Sequence, residues 1–92
     1  MAVTRTSRSV QFTAAADALA QPVKIKEVHV IAEGATAGDQ ALLRDAPNGS
    51  IIADFRVPGT DGTWIAAQPC AWYQGLYVDT LDANLTIVVT TL

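Results

Sequence analysis

The chain has 92 residues, with six Lys and Arg against nine Asp and Glu, which gives a net charge of −3. Half of the residues are hydrophobic and only 16% are charged. A chain of this length forms one small domain. An apolar content this high in so small a domain indicates that a partner covers part of the surface. The composition therefore predicts self-association.

Several classes of function are disfavoured by the composition. Nucleic-acid binding requires a basic patch that neutralises phosphates, and this chain is acidic overall with its cations spread along the sequence. No segment approaches the roughly 20 apolar residues of a membrane-spanning helix. Because Cys70 is the single cysteine and His29 the single histidine, neither an internal disulfide nor a zinc site is expected. The sequence thus predicts no nucleic-acid partner, no membrane partner and no cofactor.

The N-terminal residues differ in character from the rest of the chain. Residues 1–8 are polar and lack hydrophobic periodicity, which predicts a flexible N-terminal arm followed by one domain over residues 9–92. Apolar and polar residues then alternate over Ser9–Thr13, which predicts a first short strand. The alanine-rich segment Ala14–Ala20 has no apolar stripe, so it is predicted to be a loop or one helical turn.

The next predicted strand, Val23–Ala32, has a break in its alternation. Its first half places Val23 and Ile25 on one face, and from Val28 onward the apolar residues have the opposite parity. A strand with a period of 2 cannot bury both sets on the same side unless an extra residue is inserted. The pattern predicts a bulge or bend near Lys26-Glu27, or else a strand whose two ends belong to different sheets.

Five more strands are predicted in the remaining sequence, separated by residues that favour turns. They are Gln40–Arg44, Ile51–Val57, Thr63–Ala67, Trp72–Thr80 and Asn84–Leu92. Asn48-Gly49 is the strongest turn signal, because both residues tolerate the positive φ of a tight hairpin. Seven short strands without a long helix predict an all-β fold, either a small antiparallel β-sandwich or a jelly-roll-like barrel.

Alternation within these strands predicts which side chains face inward. In the segment Ile51–Val57 the inward set is Ile51, Ala53, Phe55 and Val57. In the last strand the second face, which includes Val88, is only weakly polar and indicates contact with another layer or another chain. The last two strands flank the turn-prone Leu81–Asn84, so they are predicted to pair as a hairpin.

No residues of the chain combine into a catalytic constellation. His29 lies in a strand pattern without a second histidine or a nucleophile motif, so it lacks the partner that base catalysis needs. Cys70 follows Pro69 without the cationic or helix-terminal setting of a reactive thiol. Asp79 and Asp82 flank a turn, where acids commonly cap backbone N–H groups, and no calcium-loop motif is present. No enzymatic activity, catalytic residue or metal ligand is predicted.

The aromatic residues Trp64, Trp72, Tyr73 and Tyr77 are the side chains most suited to binding. Aromatic side chains anchor protein interfaces, and on a small β scaffold they could also stack against sugar rings. A small domain also needs large side chains in its core. The sequence therefore predicts one tryptophan in the core and the other at an interface, without deciding which is which.

Several stretches together resemble small virion proteins of tailed bacteriophages. They are the strand Val23–Ala32, the run Leu42-Leu43-Arg44-Asp45-Ala46-Pro47-Asn48-Gly49, the strand Ile51–Val57, and Gly75-Leu76-Tyr77-Val78-Asp79 before a last strand rich in threonine and valine. The Leu43-Arg44-Asp45 turn and the step from Gly75 to Asp79 carry the likeness. It extends over residues 23–92 and leaves the N-terminal arm unmatched.

The resemblance implies a compact β-sandwich without chemical activity. Some such proteins decorate or cement the capsid, often as trimers seated between capsomers. The implied partners are further copies of this chain and the major capsid protein, and the implied location is the virion surface. The low cysteine content suits assembly in the reducing cytoplasm of a bacterial host.

The capsid interpretation predicts a set of interface residues. Arg5 and Arg8 are expected to dock the N-terminal arm on acidic shell residues. The other expected contacts are Trp64, Trp72, Tyr73, Val88 and Leu92. Related β modules also occur in phage tails and fibres, so the alternative is a carbohydrate- or receptor-binding module in which a Trp and a Tyr form a stacking platform.

Overall fold

A computed structural model describes residues 3–5 and 8–92, and in these residues the chain is all-β. The strands are β1 (Val3–Arg5), β2 (Ser9–Phe12), β3 (Ala18–Leu19), β4 (Val23–Glu33), β5 (Gln40–Arg44), β6 (Ile51–Arg56), β7 (Asp61–Ala67), β8 (Ala71–Tyr73), β9 (Leu76–Leu81) and β10 (Leu85–Thr91). They form two antiparallel sheets. The predicted small antiparallel β-sandwich is confirmed.

The two sheets differ in size and in the path of the chain. The larger sheet has the order β1-β2-β10-β4-β7, and β8 also pairs with β4. The smaller sheet has the order β3-β9-β5-β6. The longest strand, β4, has 11 residues. At a rise of about 3.3 Å per residue it matches the 32 Å long axis of the molecule, so its two ends lie at opposite ends of the sandwich.

The core is the apolar layer between the two sheets. Most of its side chains come from the larger sheet, where β10 contributes Leu85, Ile87 and Val89 on one face, as its alternation predicts. The smaller sheet supplies the facing side chains, among them Leu43 and Val78, which are fully buried. β2 likewise buries both of its predicted inward residues, Val10 and Phe12.

The predicted bulge in β4 is confirmed and its position is Lys26. Thr90 of β10 pairs with Glu27 and the next residue, Thr91, pairs with Ile25, so Lys26 is the inserted residue. Because of this insertion, Ile25 and Val28 are both fully buried although they have opposite parity. The two ends of β4 pair with β8 and β7 within one sheet, so the alternative of two different sheets is wrong.

The predicted hairpin of the last two strands is wrong. β9 pairs with β3 and β5 in the smaller sheet, whereas β10 pairs with β2 and β4 in the larger sheet. The connection is held by both sheets, since Asp82 N donates to Gln40 O at 3.1 Å and Glu33 N donates to Asn84 O at 3.1 Å. Asn84 adopts a positive φ of 68°. The turn residues therefore carry the chain across the core from one sheet to the other.

The predicted inward position of Ile51 is also wrong, because its side chain is 53% exposed. The pairing of β5 with β6 shifts between Leu43↔Ala53 and Arg44↔Ile51, which makes Ile52 an extra residue. This bulge reverses the parity before Ala53, and Ile52 packs against the core in place of its neighbour. The β5–β6 hairpin itself is confirmed.

Two short strands lie where the sequence predicts none. β1, in the predicted N-terminal arm, pairs with β2 through Val3↔Phe12 and Arg5↔Val10 and forms an edge of the larger sheet. β3 pairs with β9. Such short segments carry too few residues to show alternation, so a neighbouring strand edge determines their conformation. The flexibility of the arm stays a prediction, and its residues 1, 2, 6 and 7 lie outside the described residues.

Gly75, between β8 and β9, occupies a position where a side chain does not fit. A Cβ there would lie 2.9 Å from the carbonyl oxygen of Leu19 and 3.2 Å from that of Asp45. Both are backbone atoms and cannot rotate away. We expect Gly75→Ala to lower the free energy of unfolding by about 1–3 kcal/mol, measured by urea denaturation with far-UV circular dichroism.

Gly59→Ala is the matched control for this substitution. A Cβ at Gly59 would meet no heavy atom within 4 Å. The free energy of unfolding is expected to stay the same or rise by up to about 1 kcal/mol, since alanine restricts the unfolded chain. Equal losses in the two variants would contradict the packing at Gly75.

Candidate interaction surface

The outward face of the larger sheet is not covered by other described parts of the chain and is called the open face. Its central row runs across four strands through Gln11, Val88, His29 and Ile65, which are paired in register. Ile65 is 53% exposed. Val88, predicted as an interface residue, lies in the middle of this row and is half-buried. The open face thus presents a mixed row of apolar and polar side chains.

One end of the open face carries the most exposed large hydrophobic side chains of the described residues. Trp72 is 69% exposed and Leu92 is 65% exposed. Trp72 pairs with Lys24 in the β4–β8 register, and Leu92 N donates to Lys24 O at 3.0 Å from the other side. Directly opposed residues project on the same face. The three side chains therefore stand in one row, with Lys24 in the middle.

Two further cations lie beside this row. Thr91 N donates to Arg8 O at 2.8 Å, which fixes the start of β2 next to the end of β10. Arg8, Lys26 and Leu92 together line a groove of about 530 Å³. Lys26 is exposed because it is the bulge residue of β4. We call Arg8, Lys24, Lys26, Trp72 and Leu92 the basic patch.

The acid nearest to the basic patch, Glu27, is engaged by other side chains. Gln68 Nε2 donates to Glu27 Oε2 at 2.8 Å, and His29 Nε2 lies 4.0 Å from Glu27 Oε1. Thr90 Oγ1 donates to the Glu27 carbonyl at 3.3 Å. These contacts place His29 among strand neighbours rather than beside a nucleophile.

The structure separates the two tryptophans. Trp64 lies opposite the buried Val30 in β4, and its ring centroid is 6.1 Å from that of Phe55. It packs against the core, as the sequence predicts for one of the two tryptophans. Trp72 is the exposed one. Its role at an interface stays a prediction.

The other expected interface residues are distributed over different surfaces. Tyr73 is opposite the buried Val23 and packs against the core, so Tyr73, like Trp64, faces away from the open face. Arg8 lies in the basic patch. Arg5 belongs to β1 by its backbone, and its side chain lies outside what the structure describes. The structure therefore brings Arg8, Trp72 and Leu92 together and leaves the core-facing aromatics apart from them.

Lys24 and Lys26 were not among the expected interface residues. Their closeness to Trp72 follows from the pairing of β8 with β4, in which Lys24 is opposite Trp72, 48 positions later in the chain. A partial signal exists in the sequence, because Lys24 has the outward parity between the inward Val23 and Ile25. The partner strand cannot be deduced from that parity.

The described residues also limit the chemistry of the surface. Across residues 3–5 and 8–92, no group of three or more His, Cys, Asp or Glu side chains could hold a metal ion. No helix in this part of the chain is long and apolar enough to cross a bilayer. Cys70 is exposed in the loop before β8, and its Sγ is 3.9 Å from Lys26 O.

Comparisons with protein-family models, with curated proteins and with solved structures give no match.

The different surroundings of the two tryptophans lead to a stability prediction. Trp64→Ala removes a ring that packs against the core and Phe55, and we expect the free energy of unfolding to fall by about 2 kcal/mol or more. Trp72→Ala removes an exposed ring, and we expect a change within about 0.5 kcal/mol. Urea denaturation of the two variants measures the difference. Equal losses would contradict the placement of the two rings.

Proposed function

We propose that the protein is a non-enzymatic structural protein of a tailed-bacteriophage virion, which decorates or cements the capsid shell as a homo-oligomer. Trimers are the expected form, and the partners are further copies of the chain and the major capsid protein. The observation that supports this proposal best is the pair of exposed apolar side chains, Trp72 and Leu92, on either side of Lys24. The resemblance to small phage virion proteins supplies the location.

Exposed apolar surface of this kind favours association. Each Å² of apolar area removed from water contributes about 25 cal/mol, and aromatic side chains are the most common anchors of interfaces. Trp72 exposes most of its surface while Trp64 fills the core, so Trp72 makes little contribution to folding. A large side chain that is not needed for the fold is available for a partner.

The fold also suits a protein that binds by surface contact. The open face belongs to an antiparallel sheet whose side chains are held in register by β2, β10, β4 and β7. Such a surface changes little on binding, so little conformational entropy is lost when it docks. A rigid module of this size can occupy repeated positions on a shell without a catalytic cycle.

A second function is favoured by the same aromatic ring. An exposed tryptophan beside a lysine can stack on a sugar ring while the ammonium group binds a hydroxyl or an acidic substituent. The protein would then be a carbohydrate- or receptor-binding module of a phage tail or fibre. Titration with sugars, followed by the fluorescence of the exposed Trp72, separates the two functions, because a cement protein needs no sugar.

The capsid proposal predicts the outcome of a binding experiment. Shells of the parent phage that lack the protein are mixed with the purified protein and sedimented. The wild type is expected to co-sediment, and Trp72→Ser/Leu92→Ser is expected to lose at least about tenfold in affinity, since two apolar anchors are removed from the contact with the shell or with the neighbouring copy. Light scattering over a dilution series of each purified protein without shells gives its oligomeric state.

Ile51→Ser is the control for this pair of substitutions. Ile51 is 53% exposed and lies in the smaller sheet, away from the open face. It is expected to leave shell binding unchanged. A wild type that stays in the supernatant would sink the capsid proposal, and a saturable fluorescence change with a sugar would favour the tail or fibre module.

A further inference from the structure

The cations whose side chains the structure describes fall into two groups according to their contacts. Arg44 Nε donates to Asp79 Oδ2 at 2.8 Å, and Arg56 donates to Gly38 O and Gln40 Oε1. The partners of both arginines belong to the smaller sheet and its loops. In contrast, the three cations of the basic patch make no ion pair or side-chain hydrogen bond with any described residue. One end of the sandwich thus carries three cations without an ion-pair partner in the described part of the chain, against the single carboxylate of Glu27 in the same groove.

The opposite end of the sandwich is built from three loops that are bound to one another. They are residues 34–39, 57–60 and 82–84. Ala35 N donates to Thr60 O at 3.0 Å, and Gly38 N donates to Val57 O at 2.8 Å. Asn84 Nδ2 donates to Gly34 O at 3.0 Å. These bonds fix the loops as one surface.

Negative charge dominates this surface, which we call the acidic end. Its acids are Glu33, Asp39, Asp54, Asp61 and Asp82. Asp61 accepts from Gly34 N, Asp39 from Thr36 N and Asp82 from Gln40 N, so each is fixed in position by a backbone N–H group. Asp54 accepts from the Gln40 side chain. Arg56 is the cation of the described residues that lies among them.

The two charged ends are about 30 Å apart, since β4 begins in the basic patch and ends at Glu33. Solvent and salt screen charges over about 8 Å under physiological conditions, so the two ends do not compensate each other within one molecule. Each end is free to attract the opposite charge on another molecule. The acidic end of a second copy offers that charge at the same concentration as the basic patch.

We propose that copies of the chain associate head to tail, with the basic patch of one copy on the acidic end of the next. Lys24, Lys26 and Arg8 face the fixed carboxylates, and Trp72 and Leu92 pack on the exposed Ala37 and Pro58 of the acidic end. Opposite charges give the contact its orientation, and the apolar side chains contribute the buried area. This inference deepens the self-association part of the proposed function.

A head-to-tail contact is consistent with the expected trimer. It joins two different surfaces of the chain, and a closed ring of three copies requires such a heterologous contact, whereas a two-fold dimer uses the same surface twice. Three elongated molecules of 32 × 23 × 21 Å can close as the sides of a triangle. The basic patch and the acidic end then both disappear from the outer surface of the ring.

The test is a set of charge reversals in the full chain, with mass measured by light scattering. Lys24→Glu/Lys26→Glu reverses the basic patch, and Glu33→Lys/Asp54→Lys neutralises the acidic end without removing a cap of a backbone N–H group. Each variant alone is expected to lose at least about tenfold in association, because like charges face each other in the first and the attraction is lost in the second. Far-UV circular dichroism and thermal melting confirm that the variants fold.

The combination of all four substitutions is the matched rescue variant. It keeps the wild-type net charge of −3, and the reversed patch now faces an end in which Asp39, Asp61 and Asp82 are balanced by two lysines and Arg56, so like charges no longer oppose each other. Association is expected to be stronger than in Lys24→Glu/Lys26→Glu alone and weaker than in the wild type, because the repulsion is removed while the attraction is not restored. The acidic-end variant also excludes general repulsion as the cause, since its net charge moves from −3 to +1 and yet its association is expected to fall.

Salt provides a second readout on the wild type. Raising the salt concentration from about 0.05 M to about 0.5 M is expected to weaken association at least about tenfold. A monomer at low salt, an assembly indifferent to salt, or a four-substitution variant that associates no better than Lys24→Glu/Lys26→Glu would overturn the head-to-tail contact. Loss of shell binding in the basic-patch variant with unchanged mass would also overturn it, while leaving the proposed function standing with the patch on the shell.

Discussion

One inserted residue in β4 determines the arrangement of the larger sheet. Lys26 has no partner in β10, and this insertion lets Ile25 and Val28 reach the core together. Without it, one half of β4 would turn its apolar side chains to solvent. The same insertion places the Lys26 ammonium group on the surface beside Lys24 and Arg8. Core packing and the charge of the exposed end therefore depend on a single local feature of the backbone.

Features that depend on neighbouring residues could be predicted from the sequence. The all-β class, the buried faces of β2 and β10, the β5–β6 hairpin and the bulge at Lys26 all follow from period-2 alternation and turn residues. The sheet to which each strand belongs cannot be predicted from these local patterns. Asn84 and its neighbours have the composition of a hairpin turn, but their hydrogen bonds to Gln40 and Glu33, far away in sequence, carry the chain between the sheets.

The residue types of the candidate site could be predicted from the sequence, but their arrangement in space could not. Trp72, Leu92 and Arg8 could be selected from the sequence as binding residues by type and position. Their position around Lys24 depends on the pairing of β8 and β10 with the start of β4, and that pairing has no local signature. For the same reason, only the structure distinguishes Trp64, which packs on Phe55, from Trp72. The assignment of a capsid function rests on the resemblance to phage virion proteins and stays a proposal.

The central position of β10 has a consequence for the order in which the protein can fold. β10 is the last strand along the chain, and it lies between β2 and β4. During synthesis, β2 and β4 are made first, and their facing edges have no partner until β10 leaves the ribosome. Such unpaired edges are templates for association between nascent chains. The larger sheet can therefore close only after β10 is complete, and until then both edges are exposed to neighbouring chains.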